Sequence, residues 1–409
     1  MLCIYWIDAT KIHDNLYIYK NVVIFHFIYF NGANTIFFYV YLHRMTTDER
    51  YMARCLQLAR CGRFEAAPNP MVGAVIVHNG IIIGEGYHRR CGEPHAEVNA
   101  IRSVSDESLL HEATIYVSLE PCAHYGKTPP CADLIIEKQI PRVVIGCRDS
   151  FEQVDGKGIQ KLRDAGIDVT VGVLEEECRW LNRTFFTYHG KLRPHITLKW
   201  AQSADGYIDT LRHEGDGQAP IQFSNEGNGS RVHRLRAMSD AILVGCRTAI
   251  LDNPSLTTRL WPGRNPLRLA IDLRGTLNGN LHLLDGKTKT VHFTDMFQDL
   301  RDTEATTQVK LDADGNTLQQ IVQWLYEHKV QRLLVEGGAN TLQRFIDAEL
   351  WDEAYIETAP IKLGKGVTAP HIRNEHKKET FDCFGHQINY FSHKNSPFYS
   401  SFNIKQRIL

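Results

Sequence analysis

The chain has 409 residues, more than one domain usually contains, and this length predicts two domains. The formal net charge is −1 and the sequence has no basic cluster, whereas nucleic-acid-binding proteins typically carry a positively charged patch. The charge pattern therefore argues against nucleic-acid binding. Ten irregularly spaced cysteines are typical of a reducing compartment rather than a disulfide framework, so we expect a cytoplasmic protein.

Residues 1–44 differ from the rest of the chain because they are crowded with Ile, Phe, Tyr and Asn. Their apolar runs, 22–30 and 36–42, are far shorter than the ~20 residues of a membrane-spanning helix, and they lack the pattern of a secretory signal. We therefore expect no membrane partner. The hypothesis is that Met45 is the natural start, and that the preceding residues are non-native or a disordered extension.

Regular patterns begin at Thr47 and predict a first α/β domain over residues 45–190. The predicted helices are 47–62, one that starts near His95, one that starts at Cys131, 159–165 and 174–186. The predicted strands are 72–77, 81–83, 114–119, 143–145 and 167–171. Asn79-Gly80 is a strong hairpin signal between the first two strands, and residues 189–194 are typical of a linker.

Two short motifs in this domain carry metal chemistry. The motif Pro94-His95-Ala96-Glu97 lies at a predicted helix start, Glu120-Pro121-Cys122 follows a predicted strand, and Cys131 begins another helix. One histidine, two cysteines and a glutamate two residues after the histidine form the signature of zinc deaminases. His95, Cys122 and Cys131 are therefore the predicted ligands, and Glu97 is the predicted proton shuttle.

Three protein ligands leave the fourth tetrahedral position of Zn²⁺ to a water molecule, whose pKa falls toward neutrality on the metal. Such a site supports hydrolytic deamination of an amidine-like ring carbon. The alternative is a non-catalytic zinc protein, which would require a closed shell of four ligands.

A second α/β domain is predicted over residues 191–409, from strand patterns at 196–200, 241–244, 267–271 and 332–336. Gly337-Gly338 lies between a strand and a predicted helix at 341–348. Backbone N–H groups at such a turn can hold a phosphate, although a plain tight turn is an equal alternative. Gly156-Lys157-Gly158 lacks the third glycine of a dinucleotide fingerprint and is interpreted as a turn that caps a helix.

The motifs of the first domain recur together in one known family. They are Pro68-Asn69-Pro70 with Val72-Gly73, Gly84 to His88, Gly92 to Glu97, and Leu119 to Cys131. This set resembles the deaminase half of the bifunctional riboflavin-biosynthesis deaminase/reductase family. Eight residues separate Cys122 from Cys131, whereas cytidine and tRNA-adenosine deaminases have two, and the inserted Gly-Lys-Thr-Pro-Pro is similar to the riboflavin branch.

Motifs of the second domain resemble the reductase half of the same family. They are Lys199 to Gly206, His233 to Ala237, Asp252 to Arg259, and Val335 to Gly338. The resemblance implies a cytidine-deaminase-like N-terminal domain followed by a dihydrofolate-reductase-like C-terminal domain. Two segments depart from the family: Gln222-Phe223-Ser224 replaces a Trp-Ile-Ser segment, and the tail from Asn374 matches nothing closely.

The resemblance implies two successive reactions on a small-molecule pyrimidine ribosylamine phosphate. The first is zinc-dependent hydrolytic deamination of 2,5-diamino-6-(5-phosphoribosylamino)pyrimidin-4(3H)-one, and the second is NADPH-dependent reduction of the ribosyl group to ribityl phosphate. It also implies a homo-oligomer. The alternative is a deaminase whose second domain is only a degenerate reductase-like scaffold.

The resemblance also implies the residues of each pocket. The deaminase substrate would contact Asn69, His88 and Lys127, and the reductase substrate would contact Lys199, Arg236, Leu256, Arg259 and Glu336. NADPH would contact Ala201, Ser224, Thr248, Asp252, Gly338, Ala339, Asn340 and Thr341. Paired guanidinium groups of Arg236 and Arg259 would suit a sugar phosphate, while a surface ion pair is the alternative for either one.

Overall fold

The computed structural model describes residues 45–123, 125, 129–149, 156–277, 279–296, 305–312 and 314–396. The predicted extension over residues 1–44 lies outside these ranges. The described residues from Tyr51 onward belong to one compact unit, which contains two large β-sheets.

The first half of the chain builds a five-stranded sheet between two layers of helices. Its elements in chain order are α1 (Thr47–Ala59), β1 (Gly73–His78), β2 (Ile81–Tyr87), α2 (Ala96–Arg102), β3 (Thr114–Leu119), α3 (Cys131–Glu137), β4 (Arg142–Cys147), α4 (Lys157–Asp164), β5 (Asp168–Val171), α5 (Glu175–Leu181) and α6 (Arg183–Lys191). Short 3₁₀ helices cover Arg60–Gly62 and Glu107–Glu112.

Alternating side chains of this sheet enter two separate cores. The strand order is β2-β1-β3-β4-β5, in which β1 pairs antiparallel with β2 and β3, while β3, β4 and β5 are parallel. On β1, Ala74 and Ile76 pack in the core that includes residues of α2, α3 and α4, whereas Val75 and Val77 pack with α1, α5 and α6. Because strand side chains alternate between faces, both faces are apolar and both need a helical cover.

The predicted strands and helices of the first half are largely confirmed, with three corrections. The predicted helix over 174–186 is two helices that meet at Asn182, and α6 continues to Lys191, so the predicted linker starts too early. The helix ends there because Leu192 adopts a left-handed conformation with φ of 51°. The helix near His95 starts at Ala96, so Pro94 lies before the helix rather than in its first turn.

The second half builds a nine-stranded sheet and a separate two-stranded sheet, the latter formed by its second and ninth strands. Its elements are β6 (His195–Gln202), β7 (Tyr207–Asp209), α7 (Glu226–Met238), β8 (Ala241–Gly245), α8 (Cys246–Asp252), β9 (Leu267–Ile271), β10 (Thr290–Thr294), β11 (Thr306–Lys310), α9 (Thr317–Glu327), β12 (Arg332–Gly337), α10 (Ala339–Asp347), β13 (Glu353–Thr358), β14 (Val367–Thr368), β15 (Glu375–Cys383) and β16 (His386–His393). A short 3₁₀ helix covers His282–Leu284.

The order of the large sheet is β11-β10-β9-β8-β12-β6-β13-β16-β15. The strands from β11 to β13 are parallel, and β16 and β15 are antiparallel additions at one side. The four predicted strands of this half are confirmed, and the parallel strands end along one edge, where open α/β sheets bind their ligands. In the described ranges, no helix has both the length and the apolar character needed to cross a bilayer.

Candidate active sites

The predicted zinc ligands converge from three elements of the first half. His95 is the N-cap residue of α2, Cys122 lies in the loop after β3, and Cys131 is the first residue of α3. The carboxyl end of β3 and the starts of α2 and α3 meet at one edge of the sheet. His95 thus comes into contact with Cys122, which is 27 positions away along the chain, and with Cys131, which is 36 positions away.

The donor atoms of this cluster lie within 4.8 Å of one another. His95 Nδ1 is 3.6 Å from Cys122 Sγ and 3.4 Å from Cys131 Sγ. The backbone N–H of Cys131 donates to Cys122 Sγ at 3.3 Å. Hydrogen bonds from Cys131 and from His95 lower the pKa of Cys122 to about 4, despite the opposing effect of burial. An imidazole nitrogen and two sulfur atoms in this arrangement fit the ligand set of Zn²⁺.

Glu97 lies beside the cluster without joining it. Its side chain is buried, with the residue 3% exposed, and burial raises the pKa of its carboxyl group to about 7 although His95 opposes the shift. In the part of the chain that the structure describes, no fourth residue completes a closed ligand shell. A buried carboxyl group beside three ligands is typical of a catalytic site, in which it transfers protons. A purely structural zinc site would have four protein ligands.

Asn69 and His88 are hydrogen-bonded to each other near the metal cluster. Asn69 Nδ2 lies 3.0 Å from His88 Nε2, and His88 Nδ1 lies 3.2 Å from the carbonyl oxygen of Pro94. Because a carbonyl can only accept, Nδ1 carries the proton and Nε2 accepts from the Asn69 amide. The rings of His88 and His95 are in edge-to-face contact at 5.4 Å between centroids. The third predicted pocket residue, Lys127, lies outside the described residues.

Glu120 of the Glu-Pro-Cys motif has a structural role that the sequence did not indicate. Its buried carboxylate accepts from the backbone N–H groups of Gly156, Gly158 and Ile159 at 3.0 to 3.2 Å, at the start of α4. Gly158 lies so close to the motif that a Cβ atom there would be 2.0 Å from the carbonyl oxygen of Pro121. The interpretation of this glycine pair as a helix-capping turn is therefore correct, and the turn is tied to the metal-binding loop.

In the second half, two of the predicted substrate residues form a largely buried ion pair. Arg236 of α7 donates to Glu336 of β12 through Nε at 3.0 Å and Nη2 at 2.6 Å. Burial opposes ionisation of Glu336, but Arg236 and Lys199 more than compensate and lower the pKa of Glu336. Burial lowers the pKa of Lys199, although the carboxylates of Glu336 and Glu357 oppose the shift.

Arg259 and Leu256 lie in the loop after α8. The backbone N–H of Arg259 donates to His233 Nδ1 at 2.8 Å, and its Nη1 donates to Thr257 Oγ1 at 2.9 Å. Leu256 is buried. The guanidinium of Arg259 is therefore not part of the Arg236–Glu336 ion pair. The guanidinium of Arg236 is bound to the carboxylate of Glu336.

The turns that follow β8 and β12 come into close contact. Gly338, the N-cap residue of α10, has φ of 55°, and a Cβ atom there would be 2.9 Å from Thr248 Oγ1. A Cβ atom on Gly245 would be 2.3 Å from Thr341 Oγ1. Thr248, Gly338 and Thr341 are thus brought together, and Ala339 and Asn340 are the first two residues of α10.

Asp252 and Ser224, two further predicted cofactor contacts, have protein partners in this structure. Asp252 is ion-paired with the buried Arg212, which also donates to Asp209 at 2.7 Å. Ser224 Oγ donates to Glu357 Oε2 at 2.5 Å. The pairing of β6 with β13 places Ala201 opposite Glu357.

Glu357 and His386 are two further residues of this region that the sequence did not predict. Glu357 is buried near the end of β13, and His386 Nδ1 lies 2.6 Å from its Oε1. Glu357 accepts from Ser224 at the same time. A buried carboxylate in the strand pattern of β13 was the available signal. His386 gave no signal, because it lies in the tail for which no resemblance was found.

Comparison with known proteins identifies a family for each half of the chain. Residues 45–147 match the model of the cytidine and deoxycytidylate deaminase zinc-binding region, and residues 194–386 match the RibD C-terminal domain. These matches confirm the predicted fold class, a cytidine-deaminase-like domain followed by a dihydrofolate-reductase-like domain. They also favour the bifunctional interpretation over a deaminase with a degenerate scaffold. The family evidence fits zinc and NADPH as cofactors and a small molecule as the substrate.

Whole-chain relatives have the same two-part organisation. A riboflavin biosynthesis protein RibD from Aquifex aeolicus is 41% identical over 326 residues, which cover 78% of this chain and 89% of the relative. The RibD of Escherichia coli K12 is 37% identical over 333 residues, covering 78% of this chain and 89% of the relative.

Solved structures extend this agreement to the fold. A deaminase/reductase from Thermotoga maritima, described as a diaminohydroxyphosphoribosylaminopyrimidine deaminase and 5-amino-6-(5-phosphoribosylamino)uracil reductase, superimposes with a TM-score of 0.76 at 35% identity. The match covers 85% of this chain and 99% of that structure. RibD of Acinetobacter baumannii gives a TM-score of 0.74 at 31% identity, covering 85% and 98%. With a convergent His-Cys-Cys cluster and a reductase half on one polypeptide, the chain belongs to the RibD family of bifunctional deaminase/reductase enzymes of riboflavin biosynthesis.

Proposed function

We propose that the chain converts 2,5-diamino-6-(5-phosphoribosylamino)pyrimidin-4(3H)-one by hydrolytic deamination and then reduces the ribosyl group of the product to ribityl phosphate with NADPH. The observation that carries the deaminase assignment is the convergence of His95, Cys122 and Cys131 beside the buried Glu97. The reductase assignment is supported by the match of residues 194–386 to the RibD C-terminal domain.

In the deaminase half, His95, Cys122 and Cys131 would hold Zn²⁺. A bound zinc ion supplies Lewis acidity that makes water nucleophilic near neutral pH. Glu97 would take a proton from the water and deliver protons to the ring nitrogen and to the departing ammonia. Its burial supports this role, because a carboxyl group with a raised pKa can both accept and donate near neutral pH.

The deaminase pocket would be formed by Asn69 and His88, with Lys127 as a further predicted contact. The amide–imidazole hydrogen bond sets the proton on His88 Nδ1 and leaves the Asn69 carbonyl oxygen as an acceptor for the substrate. A neutral, oriented pair of this kind suits recognition of a pyrimidine ring carrying amino groups.

In the reductase half, we propose that Lys199, Arg236, Leu256, Arg259 and Glu336 form the substrate pocket. The Arg236–Glu336 pair is buried and bidentate, which supports a fixed wall rather than a mobile surface pair. The guanidinium of Arg259, held near its loop by Thr257 and by the His233 contact to its backbone, remains suited to a phosphate group.

The NADPH site would include Ala201, Ser224, Thr248, Asp252, Gly338, Ala339, Asn340 and Thr341. When bound, NADPH supplies the hydride for reduction. The left-handed Gly338 at the start of α10 supports close backbone approach to a cofactor phosphate, since a helix N-terminus offers N–H donors. Asp252 would contact NADPH while it remains ion-paired with Arg212.

The domain limits, assembly and location remain predictions. We propose a deaminase domain over residues 45–190 and a reductase domain over residues 191–409, because β6 begins immediately after α6 and its linker. A homo-oligomer is supported by the exposed Ile81 on the edge strand β2, and light scattering tests it. A cytoplasmic location is supported by the two cysteine ligands, which must stay reduced to bind metal.

Coupled turnover tests the proposed function. Ammonia release and NADPH oxidation are followed separately with the diamino substrate and with its deaminated product. The wild-type chain is expected to give both signals, whereas Glu97→Gln is expected to lose deamination by at least a hundredfold. The variant should keep zinc, measured by elemental analysis, and should still oxidise NADPH with the deaminated substrate. Full deamination by Glu97→Gln would contradict the proton-transfer role, and lack of NADPH oxidation by the wild type would contradict the reductase role.

A further inference from the structure

We propose that Gln331 of the reductase half is a positioning residue for the deaminase, because it anchors the loop that carries Asn69. The loop, residues 66–71, is called the Asn69 loop below. The inference rests on the proposed contact between Asn69 and the deaminase substrate.

Gln331 reaches the Asn69 loop from a rigid base. Its Nε2 donates to the carbonyl oxygen of Pro68 at 2.8 Å. The backbone of Gln331 donates to Asp240 Oδ2 at 3.0 Å and accepts from the N–H of His195 at 2.8 Å. Gln331 is buried, with 5% of the residue exposed. Its side chain is therefore held in a fixed position at the amino end of β12, a central strand of the large sheet.

The other end of the Asn69 loop is held from within the deaminase half. Asn182, buried at the junction of α5 and α6, accepts from the N–H of Met71 at 2.8 Å and donates to its carbonyl at 2.9 Å. The N–H of Asn69 also donates to the carbonyl of Ala66 at 2.9 Å. Asn69 thus lies between one anchor from each half of the chain.

A short series of contacts links Gln331 to the metal cluster. Pro68, which accepts from Gln331, is followed by Asn69, whose amide is 3.0 Å from His88 Nε2. His88 Nδ1 is 3.2 Å from the carbonyl of Pro94, and Pro94 precedes the predicted ligand His95. Displacement of Pro68 would therefore move both predicted pocket residues, whereas His95 would keep its place at the start of α2.

The geometry favours an effect on substrate binding over an effect on chemistry. Glu97 and the ligand cluster are positioned by α2, α3 and the loop after β3, and in the described structure no hydrogen bond joins Gln331 to these elements. Loss of a buried hydrogen bond that leaves the Pro68 carbonyl unsatisfied is expected to weaken substrate binding about tenfold. The KM of deamination should rise, while kcat should change by less than about threefold.

The test uses two variants that lose the contact in different ways. Gln331→Met keeps the length of the side chain but has no donor, and Gln331→Asn keeps the amide but is one methylene too short. Both are expected to raise the KM of deamination about tenfold and to leave zinc content and the kcat/KM of reduction unchanged. The reductase reaction on the same chain reports whether each variant is folded.

Tyr188→Phe is the matched control. The hydroxyl of Tyr188 in α6 donates to the carbonyl of Tyr326 in α9 at 2.7 Å, so it also joins the two halves through a backbone carbonyl. In the described ranges, its hydroxyl forms no hydrogen bond with the Asn69 loop. The KM of deamination of Tyr188→Phe should equal that of the wild type. If this KM rises as much as in the Gln331 variants, the inference is overturned, because any weakening of the contact between the halves would then have the same effect.

Amide hydrogen exchange gives a readout that is independent of turnover. In Gln331→Met and Gln331→Asn, the amides of Asn69 and Met71 should exchange about tenfold faster than in the wild type and in Tyr188→Phe. Unchanged exchange would overturn the inference, and so would a wild-type KM in both Gln331 variants when Asn69→Ala raises the KM. A third outcome separates the two proposals. If amide exchange accelerates in the Gln331 variants but the KM of deamination is that of the wild type in these variants and in Asn69→Ala, the proposed contact of Asn69 with the substrate is wrong. The anchoring of the loop by Gln331 is then still supported.

Discussion

At the scale of single residues, the reductase half holds a buried carboxylate with two short hydrogen bonds. Glu357 accepts from Ser224 Oγ at 2.5 Å and lies 2.6 Å from His386 Nδ1, and β13 positions it opposite Ala201 of β6. The contact fixes the orientation of the Ser224 hydroxyl, which is one of the proposed NADPH contacts. Glu357 is therefore expected to support cofactor binding through Ser224 and not through direct chemistry.

Glu357→Gln tests this role. The amide can accept only one of the two hydrogen bonds, so either Ser224 or His386 would face an N–H group. The KM for NADPH is expected to rise about tenfold, and deamination should stay at the wild-type rate. Steady-state NADPH oxidation with the deaminated substrate measures the change. An unchanged KM for NADPH would show that the Ser224 hydroxyl does not depend on Glu357.

At the scale of secondary-structure elements, Glu120 connects the metal-binding loop to the start of α4. Its carboxylate accepts from the N–H groups of Gly156, Gly158 and Ile159, which otherwise lack partners at a helix N-terminus. The same residue directly precedes Pro121 and Cys122. Helix capping and metal-loop geometry are thus supplied by one buried side chain.

Glu120→Ala is expected to lower the free energy of unfolding by about 2 kcal/mol, because several backbone donors lose a charged acceptor. Urea unfolding followed by circular dichroism measures the change. Glu137→Ala, at the exposed end of α3, is the control and should lie within about 0.5 kcal/mol of the wild type. Equal stability of the two variants would argue against the capping role.

Most elements could be predicted from local patterns, with two exceptions. β3 and β9 have the predicted limits, since short runs of β-branched and apolar residues specify buried strands. The break of the predicted helix 174–186 at Asn182 was not predicted, because its cause is the contact of Asn182 with Met71, 111 residues away. Hairpin β15–β16 was not predicted either, because it lies in the tail from Asn374, which resembles no motif of the family.

At the scale of the whole molecule, charged residues occupy the contact between the two halves. Arg183 of α6 is ion-paired with the buried Glu353 of β13, and Lys191 Nζ, at the end of α6, lies 3.3 Å from Asp352 Oδ1. Tyr355 of β13 packs in the same apolar core as residues of α1 and α5. The halves are therefore joined by apolar packing together with buried ion pairs, and removal of one charged partner would leave an uncompensated buried charge.

Acid pH is expected to destabilise this contact through His195. Burial lowers the pKa of His195 to about 4, below its ordinary value of 6.5, although Asp352 and Glu353 oppose the shift. Between pH 6.5 and 4 the unfolded chain therefore binds a proton that the folded chain does not, and stability falls as the pH falls. Asp352 has a lowered pKa, so its contribution is lost only at still lower pH.

His195→Gln should flatten this dependence. The wild type is expected to lose up to about 3 kcal/mol between pH 7 and pH 4 through this histidine, and the variant should lack that loss. Urea unfolding at several pH values measures it. His213→Gln, at an exposed position, should keep the wild-type dependence. A slope in His195→Gln equal to that of the wild type would refute the assignment to His195.

The sequence by itself determined the family and predicted the His-Cys-Cys cluster that the structure brings together. His95, Glu97, Cys122 and Cys131 lie in short motifs at the ends of predictable elements, and an α/β sheet brings those ends to one edge whatever the details of packing. The chemistry of each motif residue follows from its type and spacing.

Only the tertiary structure decided which residues support those motifs. Gln331 reaches Pro68 across 263 positions, and Glu357 meets Ser224 across 133. Such contacts depend on strand register and on how the two halves pack. Neither leaves a periodic or local signal, because the energy of a buried hydrogen bond depends on a partner that is distant in the chain.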